Sequence, residues 1–333
     1  MIFKLFACCI PVSGARRSII CDIQRGTYKF IPNILYDILT THKDKSIESI
    51  KSTYGHKYSD ELDSYFLFLE QNEFGFWCDD PKRFPDIKME WMHPSAITNA
   101  IIDIDATSHH DYSKIRFQLD DLGCQALQLR IYDEIEPQQL RNIISEFNDS
   151  RLRSIDVVIK YSNNLTVEVL SELCQSLQRV RSVQIHSSPE LKKVQVFGIK
   201  TPLNFLTEEI NDHTHCGVVN ASYFVANVSS FTESLHYNSC LNRKIGIDIH
   251  GNIKNCPSFR STFGNIKDST LREALDRPGF KDFWNVTKDS VTICCDCEFR
   301  YICMDCRAFT KDNEKHGKPE KCNYDPYTAK WAS

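Results

Sequence analysis

The sequence has no long hydrophobic run and no excess of basic residues, and these two absences exclude two large classes of function. No stretch of the 333 residues approaches the roughly 20 apolar residues that a membrane-spanning helix requires. The chain carries 40 Lys and Arg against 44 Asp and Glu, a formal net charge of −4, whereas nucleic-acid binding calls for a basic patch or stripe. We therefore expect neither a membrane nor a nucleic acid as a partner.

The N-terminal residues also lack a lipoprotein signal, although Cys8 follows a short apolar stretch. Such a signal needs a basic segment and about seven to fifteen apolar residues before its cleavage site, and the residues before Cys8 cannot hold both. The chain has 15 cysteines, an odd number, and disulfide scaffolds are usually short secreted domains. These features predict a cytoplasmic protein with reduced thiols, and the length allows two or three domains.

What the chain has in abundance is cysteine, and the last third holds a set at short, regular spacings. Ten residues separate Cys240 from Gly251, and four more precede Cys256. The next four cysteines read Cys-x2-Cys-x5-Cys-x2-Cys, and a last one follows. Thiolates are soft ligands that select zinc or iron–sulfur centres, and Cys-x2-Cys spacing lets two sulfurs turn onto one metal or cluster edge. The set comprises Cys240, Cys256, Cys294, Cys297, Cys303, Cys306 and Cys322.

This region resembles the SPASM domain, the twin-cluster module at the C-terminus of many radical SAM peptide maturases. The family pattern is Cys-x9–15-Gly-x4-Cys, then Cys-x2-Cys-x5-Cys-x3-Cys, then a last Cys. One departure is visible, because Cys306 follows Cys303 after two residues rather than three. The stretch from Phe263 to Trp284 is also similar to the family. The resemblance implies that one [4Fe–4S] cluster is held by Cys294, Cys297, Cys303 and Cys322.

The resemblance assigns Cys240, Cys256 and Cys306 to a second [4Fe–4S] cluster and leaves that site one ligand short. Cys216 is a candidate for the fourth ligand. Alternatively, Cys216 is a buried thiol of the kind that behaves as a small hydrophobe, and one iron stays open to a substrate group. Weaker candidates for the fourth ligand are His213, His215 and His236.

Zinc is the alternative for the same cysteines, as two sites that hold a small loop-rich domain together. Zinc ribbons with four cysteine ligands use similar local spacings, but the order of seven cysteines with an interposed glycine matches the iron–sulfur domain better. Cys295, inside the first Cys-x2-Cys pair, is expected to be a bystander. Four cysteines near the N-terminus have no metal-ligand spacing among themselves and are expected to be plain thiols: Cys8, Cys9, Cys21 and Cys78.

Residues 1–80 predict a small winged-helix unit. Two short strands, Ser18–Asp22 and Tyr28–Ile31, flank a turn at Arg25-Gly26. Three helices follow, one opened by Pro32, one after Ser46 and one over 59–71, with apolar residues at helical spacing. This order is similar to the leader-binding domains of ribosomal peptide pathways, which capture a precursor as an added strand on a sheet edge. The alternative is a generic winged helix with another role.

A linker at 81–94 precedes a region where strand and helix patterns alternate. The strand patterns begin 26 to 29 residues apart, which is the period of a parallel sheet or partial barrel. Helices are expected between them at 112–122, 137–147 and 166–177. The expected strands are Ala100–Ile104, Ala126–Tyr132, Ile155–Tyr161 and Ser182–His186, with later candidates at Lys193–Phe197 and Tyr223–Val228.

The layout is similar to the radical SAM barrel, but the SAM-binding residues of that family are missing. In that family the loop after the first strand carries Cys-x3-Cys-x2-Cys, and the three thiolates leave one iron free to chelate SAM. Here the corresponding loop runs from Asp105 to Asp111, and no cysteine occurs between Cys78 and Cys124. We therefore expect neither bound SAM nor its reductive cleavage.

Other polar residues near the expected strand ends have no spacing that singles them out. Adjacent His residues, here His109 and His110, seldom face one ion, and Ser108 or Asp111 is expected to cap the helix that follows. Active-site residues of parallel sheets lie at the C-terminal ends of the strands. A remnant pocket there could be lined by Asp103, Asp105 and Arg130.

The predicted fold class is α/β, with a winged-helix module (1–80), a degenerate radical SAM-like partial barrel (95–235) and a C-terminal SPASM domain (236–333). Together these parts resemble the SPASM-domain maturase of grasp-with-spasm peptide systems, which acts beside an ATP-grasp peptide ligase and a short precursor peptide. The implied protein binds the precursor and two [4Fe–4S] clusters in ribosomal peptide maturation. The residues leave two classes open: an enzyme whose clusters bind or oxidise the peptide, and a non-catalytic adaptor that presents the precursor to the ligase.

Overall fold

Two separate sets of elements make up the computed structural model of the protein, which describes residues 1–196, 198 and 200–332. The first unit contains Met1–Trp91, Val218–Ser239 and Asn285–Ser333, and the second contains Met92–Gly217 and Cys240–Trp284. Each unit has buried apolar clusters of its own. The division into domains at 1–80, 95–235 and 236–333 stays a prediction.

The first part of the chain forms two small antiparallel sheets and three helices. β1 pairs with β5, and β2, β3 and β4 form a three-stranded meander. The elements are β1 (Ile2–Leu5), β2 (Cys9–Val12), β3 (Ser18–Asp22), β4 (Thr27–Ile31), α1 (Asn33–Thr41), α2 (Ile47–Tyr54), α3 (Ser59–Gln71) and β5 (Gly75–Cys78).

The predicted hairpin and all three predicted helices of this segment are confirmed. β3 begins and ends at the predicted residues, and α1 begins directly after Pro32. Ser46 caps α2, because its side chain accepts a hydrogen bond from the backbone of Ser49 at 3.2 Å. The apolar faces of the helices meet the strands in one core that includes Ile20, Leu35, Ile38, Leu62, Phe66 and Leu69. Strands β1 and β2 were not predicted.

The remaining elements follow in chain order. They are β6 (Asn99–Ile104), α4 (Tyr112–Asp121), β7 (Ala126–Ile131), α5 (Pro137–Ser145), β8 (Ser154–Lys160), α6 (Val167–Ser176), β9 (Val180–His186), β10 (Lys192–Val194), β11 (Leu203–Phe205), α7 (Val228–His236), β12 (Lys244–Ile247), β13 (Ile253–Lys254), α8 (Leu271–Asp276), β14 (Tyr324–Asp325) and β15 (Lys330–Trp331). The described residues thus form an α/β fold with eight α-helices.

The second unit is built on an eight-stranded, mostly parallel sheet of order β10-β11-β9-β8-β7-β6-β12-β13. Strands β11, β9, β8, β7, β6 and β12 run parallel, and β10 and β13 are antiparallel strands at the two edges. β12 pairs with β6, the first strand of the unit, although about 140 residues separate them in the chain. The crossover helices α4, α5 and α6 supply the connections that parallel strands require.

The four main strand predictions and the three helix predictions in this region are confirmed to within two residues at most ends. The strands are rich in buried Ile, Val and Leu, as expected for a sheet with both faces covered. The prediction of a strand at Tyr223–Val228 is wrong, since a 3₁₀ turn ends at Tyr223 and α7 begins at Val228. Of the strand predicted at Lys193–Phe197, β10 covers Lys193 and Val194, while Phe197 lies outside the described residues.

In the first unit, the C-terminal segment shares a core with the N-terminal sheet. Buried residues from β2 and β3 pack with residues of α7 and of the cysteine-rich turns, among them Val12, Ile19, Phe231, Phe299 and Tyr324. Arg17 bonds the fully buried carboxylate of Glu298 at 2.8 Å, and its guanidinium lies 3.6 Å from the centre of the Phe30 ring. The segment that carries Cys294 and the N-terminal sheet are therefore parts of one folded body.

The described part of the chain contains no helix that is both long enough and apolar enough to cross a bilayer.

Candidate metal centres

Four cysteines of the first unit lie in a compact series of turns, and we call Cys294, Cys297, Cys303 and Cys322 the tail group. A 3₁₀ turn over Cys294–Asp296 brings the backbone N–H of Cys297 to the carbonyl of Cys294 at 3.0 Å. Ile293, just before this turn, has a φ of 67°, a conformation that a β-branched residue rarely adopts. Cys294 and Cys303 are buried. Cys295 points to solvent.

A buried lysine lies at the centre of the tail group. The Nζ of Lys288 is 3.4 Å from the Sγ of Cys303 and 3.8 Å from a carboxylate oxygen of Asp305. Arg307 pairs with the same carboxylate at 2.6 Å. The charge of Lys288 also acts on Cys294 and Cys297, and Cys322 is close enough to act on Cys294 and Cys303. All four thiols therefore share one electrostatic environment.

This lysine offsets the cost of forming thiolates in a buried place. Burial raises the pKa of Cys294 to about 11, and the charge of Lys288 opposes that shift. Burial alone would lower the pKa of Lys288, but Cys303 and Asp305 outweigh it and raise that pKa. A buried ammonium that stays charged is suited to compensate a negatively charged metal–thiolate centre, because buried charges require a partner.

The second unit brings three cysteines together, and we call Cys216, Cys240 and Cys256 the sheet group. Cys240 precedes β12 and Cys256 follows β13, so the β12–β13 hairpin places both at the same end. Gly251 makes the turn of this hairpin with a φ of 83°, which explains why glycine is required between the two cysteines. Asn255 fixes the return of the chain, because its Nδ2 donates to the carbonyls of Leu241 and Lys244.

Lys244 has the same position in the sheet group that Lys288 has in the tail group. Its Nζ is 3.5 Å from the Sγ of Cys240, and its charge acts on Cys256 and Cys216 as well. Burial raises the pKa of Cys256, and Lys244 opposes that shift. Cys216 reaches this place from a distant loop, with its Sγ 3.2 Å from the hydroxyl of Ser258.

The four candidates for the missing ligand of the sheet group differ in their surroundings. Cys216 is the candidate whose sulfur lies beside Lys244 and Cys256. The Nδ1 of His215 faces Glu208 at 3.3 Å, and the backbone carbonyl of His213 accepts a hydrogen bond from Cys216. His236 belongs to the first unit, where its Nε2 bonds a backbone carbonyl at 2.6 Å. Cys306 is buried and also belongs to the first unit, and its place in a second cluster stays a prediction.

A buried ion pair adjoins the sheet group at the C-terminal ends of β6 and β7. Arg130 donates two hydrogen bonds to the carboxylate of Asp103, at 2.6 and 2.8 Å. Burial raises the pKa of Asp103, and Arg130 partly offsets the effect. The guanidinium also acts on Cys256, for which it favours the thiolate. Asp103 and Arg130 thus lie at the edge where parallel sheets place their functional groups.

Several polar residues of the loop after β6 bond one another, and the loop borders a cavity of about 600 Å³. Asp105 accepts from the hydroxyls of Thr107 and Ser108 at 2.9 and 3.0 Å. Burial alone would raise the pKa of Asp105, but these bonds outweigh it and lower that pKa. Asp111 caps α4 through the backbone of Lys114 at 2.8 Å, as one of the two predicted capping residues. His110 bonds the carbonyl of Asp103 at 2.9 Å through its Nε2, so this ring is held by the backbone.

Three residues of the N-terminal sheet were not predicted to meet. Ligand atoms of Cys8, Cys9 and Asp22 all lie within 4.8 Å of one another. The spacing of these residues in the sequence does not predict the group, because the pairing of β2 with β3 brings them together and β2 is not among the predicted strands. The signal that could have found it is the hydrophobic run Cys9–Val12 placed opposite Ile19–Asp22 in a hairpin register.

The tail group and the sheet group each have ligand atoms that suit a thiolate-bound metal centre. Comparison of the chain with protein-family models gives no match, and comparison with curated proteins gives none either. A tail group of four cysteines and a sheet group of three both consist of soft ligands that select iron–sulfur or zinc centres. A buried lysine beside each group supplies the positive charge that such centres need.

Proposed function

We propose that the protein is a component of ribosomal peptide maturation that binds a precursor peptide and carries two [4Fe–4S] clusters. In this proposal residues 1–80 are a winged-helix leader reader, the parallel sheet is a degenerate radical SAM-like partial barrel, and the C-terminal cysteines form a SPASM domain. One observation supports it above all. The four cysteines expected to hold the first cluster lie in one series of turns, and the charge of Lys288 acts on three of them, Cys294, Cys297 and Cys303.

The order of the cysteines favours iron–sulfur clusters over zinc. Seven cysteines with Gly251 between the first two match the iron–sulfur domain better than they match a four-cysteine zinc ribbon. The tail group would hold one cluster, and Cys240, Cys256 and Cys306 with Cys216 the other.

The surroundings of the sheet group support Cys216 as the fourth ligand of the second cluster. Cys216 lies beside Lys244 and Cys256, whereas the rings of His215 and His236 have other partners. When bound, such clusters supply electron transfer. The chain's own contribution there is the positive charge of Lys244 and Arg130, which would favour the reduced, more negative state.

The loop after β6 supports the expectation that SAM is not cleaved. The loop offers hydroxyl, carboxylate and imidazole groups that are bonded to one another or to the backbone, in the place where the radical SAM family has three thiolates. The lack of the three thiolates in this loop favours the second candidate function, a non-catalytic adaptor that presents the precursor to an ATP-grasp peptide ligase. The enzyme and the adaptor share the same peptide site and the same clusters.

A groove in the N-terminal segment is suited to the precursor. A cavity of about 470 Å³ lies beside β1, β2 and the end of α1, and its walls include Phe3, Leu5, Ile10 and Leu39. β2 is paired on one side by β3 and is an edge strand of its sheet, as strand addition by a peptide requires. Lys4 and Lys43 at the cavity both bind Asp86, at 3.0 and 2.6 Å. An acidic side chain of the precursor could form ion pairs with the same two lysines.

Point variants test this groove better than deletion of residues 1–80, because the N-terminal sheet shares a core with the tail-group segment. Thr40, on α1, lines the cavity, and Thr53, on α2, is a matched control. Each is exposed, and each hydroxyl bonds the carbonyl one turn earlier in its own helix. The probe is a synthetic peptide with the sequence of a short reading frame next to the gene of this protein, the arrangement that the resemblance implies, and its binding is measured by fluorescence anisotropy.

We expect Thr40→Arg to weaken precursor binding at least about tenfold, because a bulky cation fills the groove; a tenfold loss corresponds to about 1.4 kcal/mol. Thr53→Arg is expected to bind like the wild type. Equal affinities for both variants and the wild type, with folding intact, would rule out this groove as the precursor site. Failure of the wild type to bind any such peptide would contradict the proposed function itself.

A further inference from the structure

The hairpin of β2 and β3 places three metal-ligand side chains at one point of the N-terminal sheet. Cys9 is paired directly with Asp22 in the strand register, so the two side chains lie on the same face of the sheet. Cys8 lies in the turn before β2. Its side chain therefore does not have to point away from that of Cys9, as it would if both residues were part of the strand. Its carbonyl accepts the backbone N–H of Ile23 at 3.0 Å, which holds that turn against the end of β3.

The resulting donor set is two thiols and a carboxylate. All three ligand atoms lie within 4.8 Å of one another. Zinc binds thiolates at about 2.3 Å and carboxylate oxygens at about 2.0–2.2 Å in a tetrahedron, so small side-chain movements bring the set to coordination distance. Cys9 and Asp22 are each only 2 % exposed. Two groups that become anionic on deprotonation are thus packed together with little water to solvate them, and the thiol of Cys8 lies beside them.

The cationic side chain nearest to the set is already engaged. The Nε of Arg25 is 3.6 Å from a carboxylate oxygen of Asp22, while another nitrogen of the same guanidinium bonds Glu73 at 2.7 Å. The other oxygen of Asp22 accepts the backbone N–H groups of Gln24 and Arg25 at 3.0 and 2.9 Å. These bonds orient the carboxylate, as the supporting shell of a metal ligand does.

An open cavity gives access to two of the three residues. A space of about 460 Å³ is lined by Cys8 and Asp22, together with Gln24, Arg25 and Glu73. Zinc sites with three protein ligands keep a fourth position for water or another small ligand. The cavity is the place from which such a ligand would enter, and it is an observation independent of the ligand distances.

We propose that Cys8, Cys9 and Asp22 form a metal site for a zinc-class divalent ion, bound by two thiolates and one carboxylate with its fourth position toward the cavity. The site uses none of the seven C-terminal cysteines. It goes beyond the proposed peptide and cluster functions, and it stands or falls separately from them.

The test measures zinc retained by the full-length protein, purified anaerobically and equilibrated by dialysis against buffered Zn²⁺. Iron is counted in the same samples, so that loss of clusters and filling of their cysteines by zinc are recognised. The variants are Cys8→Ser, Cys9→Ser and Asp22→Asn; asparagine retains the oxygen that accepts from Gln24 and Arg25. Matched controls are Cys78→Ser, another thiol of the first unit, and Glu73→Gln, a carboxylate of the same cavity.

We expect the wild type and both controls to hold one zinc per chain beyond any zinc bound by the seven C-terminal cysteines. Each ligand variant should bind this zinc roughly tenfold or more weakly, because even changes outside the direct ligands cost 10–100-fold in metal affinity. X-ray absorption at the zinc edge should then show two sulfur ligands, a readout that does not depend on the stability of any variant. Equal zinc in the wild type and the three variants at equal iron would overturn the proposal. A Cys8–Cys9 disulfide in the anaerobic wild type would overturn it as well.

Discussion

Lys288 and Lys244 each place an ammonium group against the thiols of one cysteine group. Their Nζ atoms lie 3.4 Å from Cys303 and 3.5 Å from Cys240. Hydrogen bonds to cluster sulfurs and nearby charge are among the levers that set the potential of iron–sulfur clusters. At the residue scale this role could not be predicted from the sequence, because nothing in the residues beside Lys244 or Lys288 distinguishes these two lysines from the others of the chain.

Replacing Lys288 by methionine should make the tail cluster harder to reduce. The reduced cluster carries one more negative charge, and the variant lacks the buried ammonium that stabilises it. We expect the midpoint potential to fall by on the order of 50 mV, equivalent to about 1 kcal/mol for one electron. A redox titration followed by electron paramagnetic resonance measures the shift. Lys311→Met, on an exposed turn of the same segment, is the control, and an equal potential in both variants would show that Lys288 does not act on the cluster.

Asp86 provides a pH-dependent contact in the N-terminal segment. Hydrogen bonds from Lys43 and Lys4 lower the pKa of Asp86 below its ordinary value. A carboxyl group whose pKa is lower in the folded than in the unfolded chain stabilises the fold at pH values above its unfolded-chain pKa of about 3.9. This contribution is lost as the pH falls through the lowered pKa of the folded chain. Because Asp86 is well exposed, we expect Asp86→Asn to cost about 0.2–1 kcal/mol at pH 7.

Urea unfolding at pH 7 and pH 3 measures this effect, with Asp79→Asn as the control on the same segment. The difference between the wild type and Asp86→Asn should shrink at the lower pH, where the carboxylate of the wild type becomes protonated. A difference that stays constant between the two pH values would mean that the two lysines are not responsible.

Among the elements, those with a strong local pattern could be predicted and those that depend on distant pairing could not. β6, β7, β8 and β9 are buried apolar runs bounded by turn residues, and their helices carry clear apolar stripes. β1 has only four residues and pairs with β5 about 70 residues away. β2 contains Pro11, which argues against a strand unless it lies at an edge, where β2 is in fact found.

The candidate site follows the same division. The Cys-x2-Cys spacing and the glycine of the β12–β13 turn are local, so the tail group and two members of the sheet group could be proposed from sequence. Cys216 joins Cys256 through the fold of the second unit, and only candidates for that position could be named in advance. Cys8, Cys9 and Asp22 meet through a pairing that local spacing does not encode.

The ends of β6 and β7 give a prediction at the element scale. Asp103→Asn removes the charge that compensates the buried guanidinium of Arg130. Breaking a buried pair from one side typically costs about 3–5 kcal/mol. We expect a destabilisation of that size in hydrogen exchange of the amides of β6 and β7.

Asp156→Asn on the neighbouring strand β8 is the matched control. Burial raises the pKa of Asp156, which means that the fold disfavours its charged form, so removal of the charge should not destabilise the protein. The double variant Asp103→Leu with Arg130→Met should recover much of the loss, because no charge is left without a partner. Similar exchange rates for Asp103→Asn and the control would contradict the structural role given to the pair.

For the whole molecule, the central claim is two thiolate-bound [4Fe–4S] clusters. The two proposed clusters have no ligand in common, so the two centres should be separable by mutation. Cys303→Ser removes a ligand of the tail group and leaves the sheet group untouched. We expect this variant to lose about half of its iron and its sulfide.

The most direct measurement is the iron, sulfide and zinc content of the anaerobically purified wild-type protein, together with its visible spectrum. Two [4Fe–4S] clusters predict about eight irons and eight sulfides per chain and a broad absorption band near 400 nm. A colourless protein with about two zincs in its C-terminal cysteines and no iron would contradict the account. The cysteines would then form a structural scaffold.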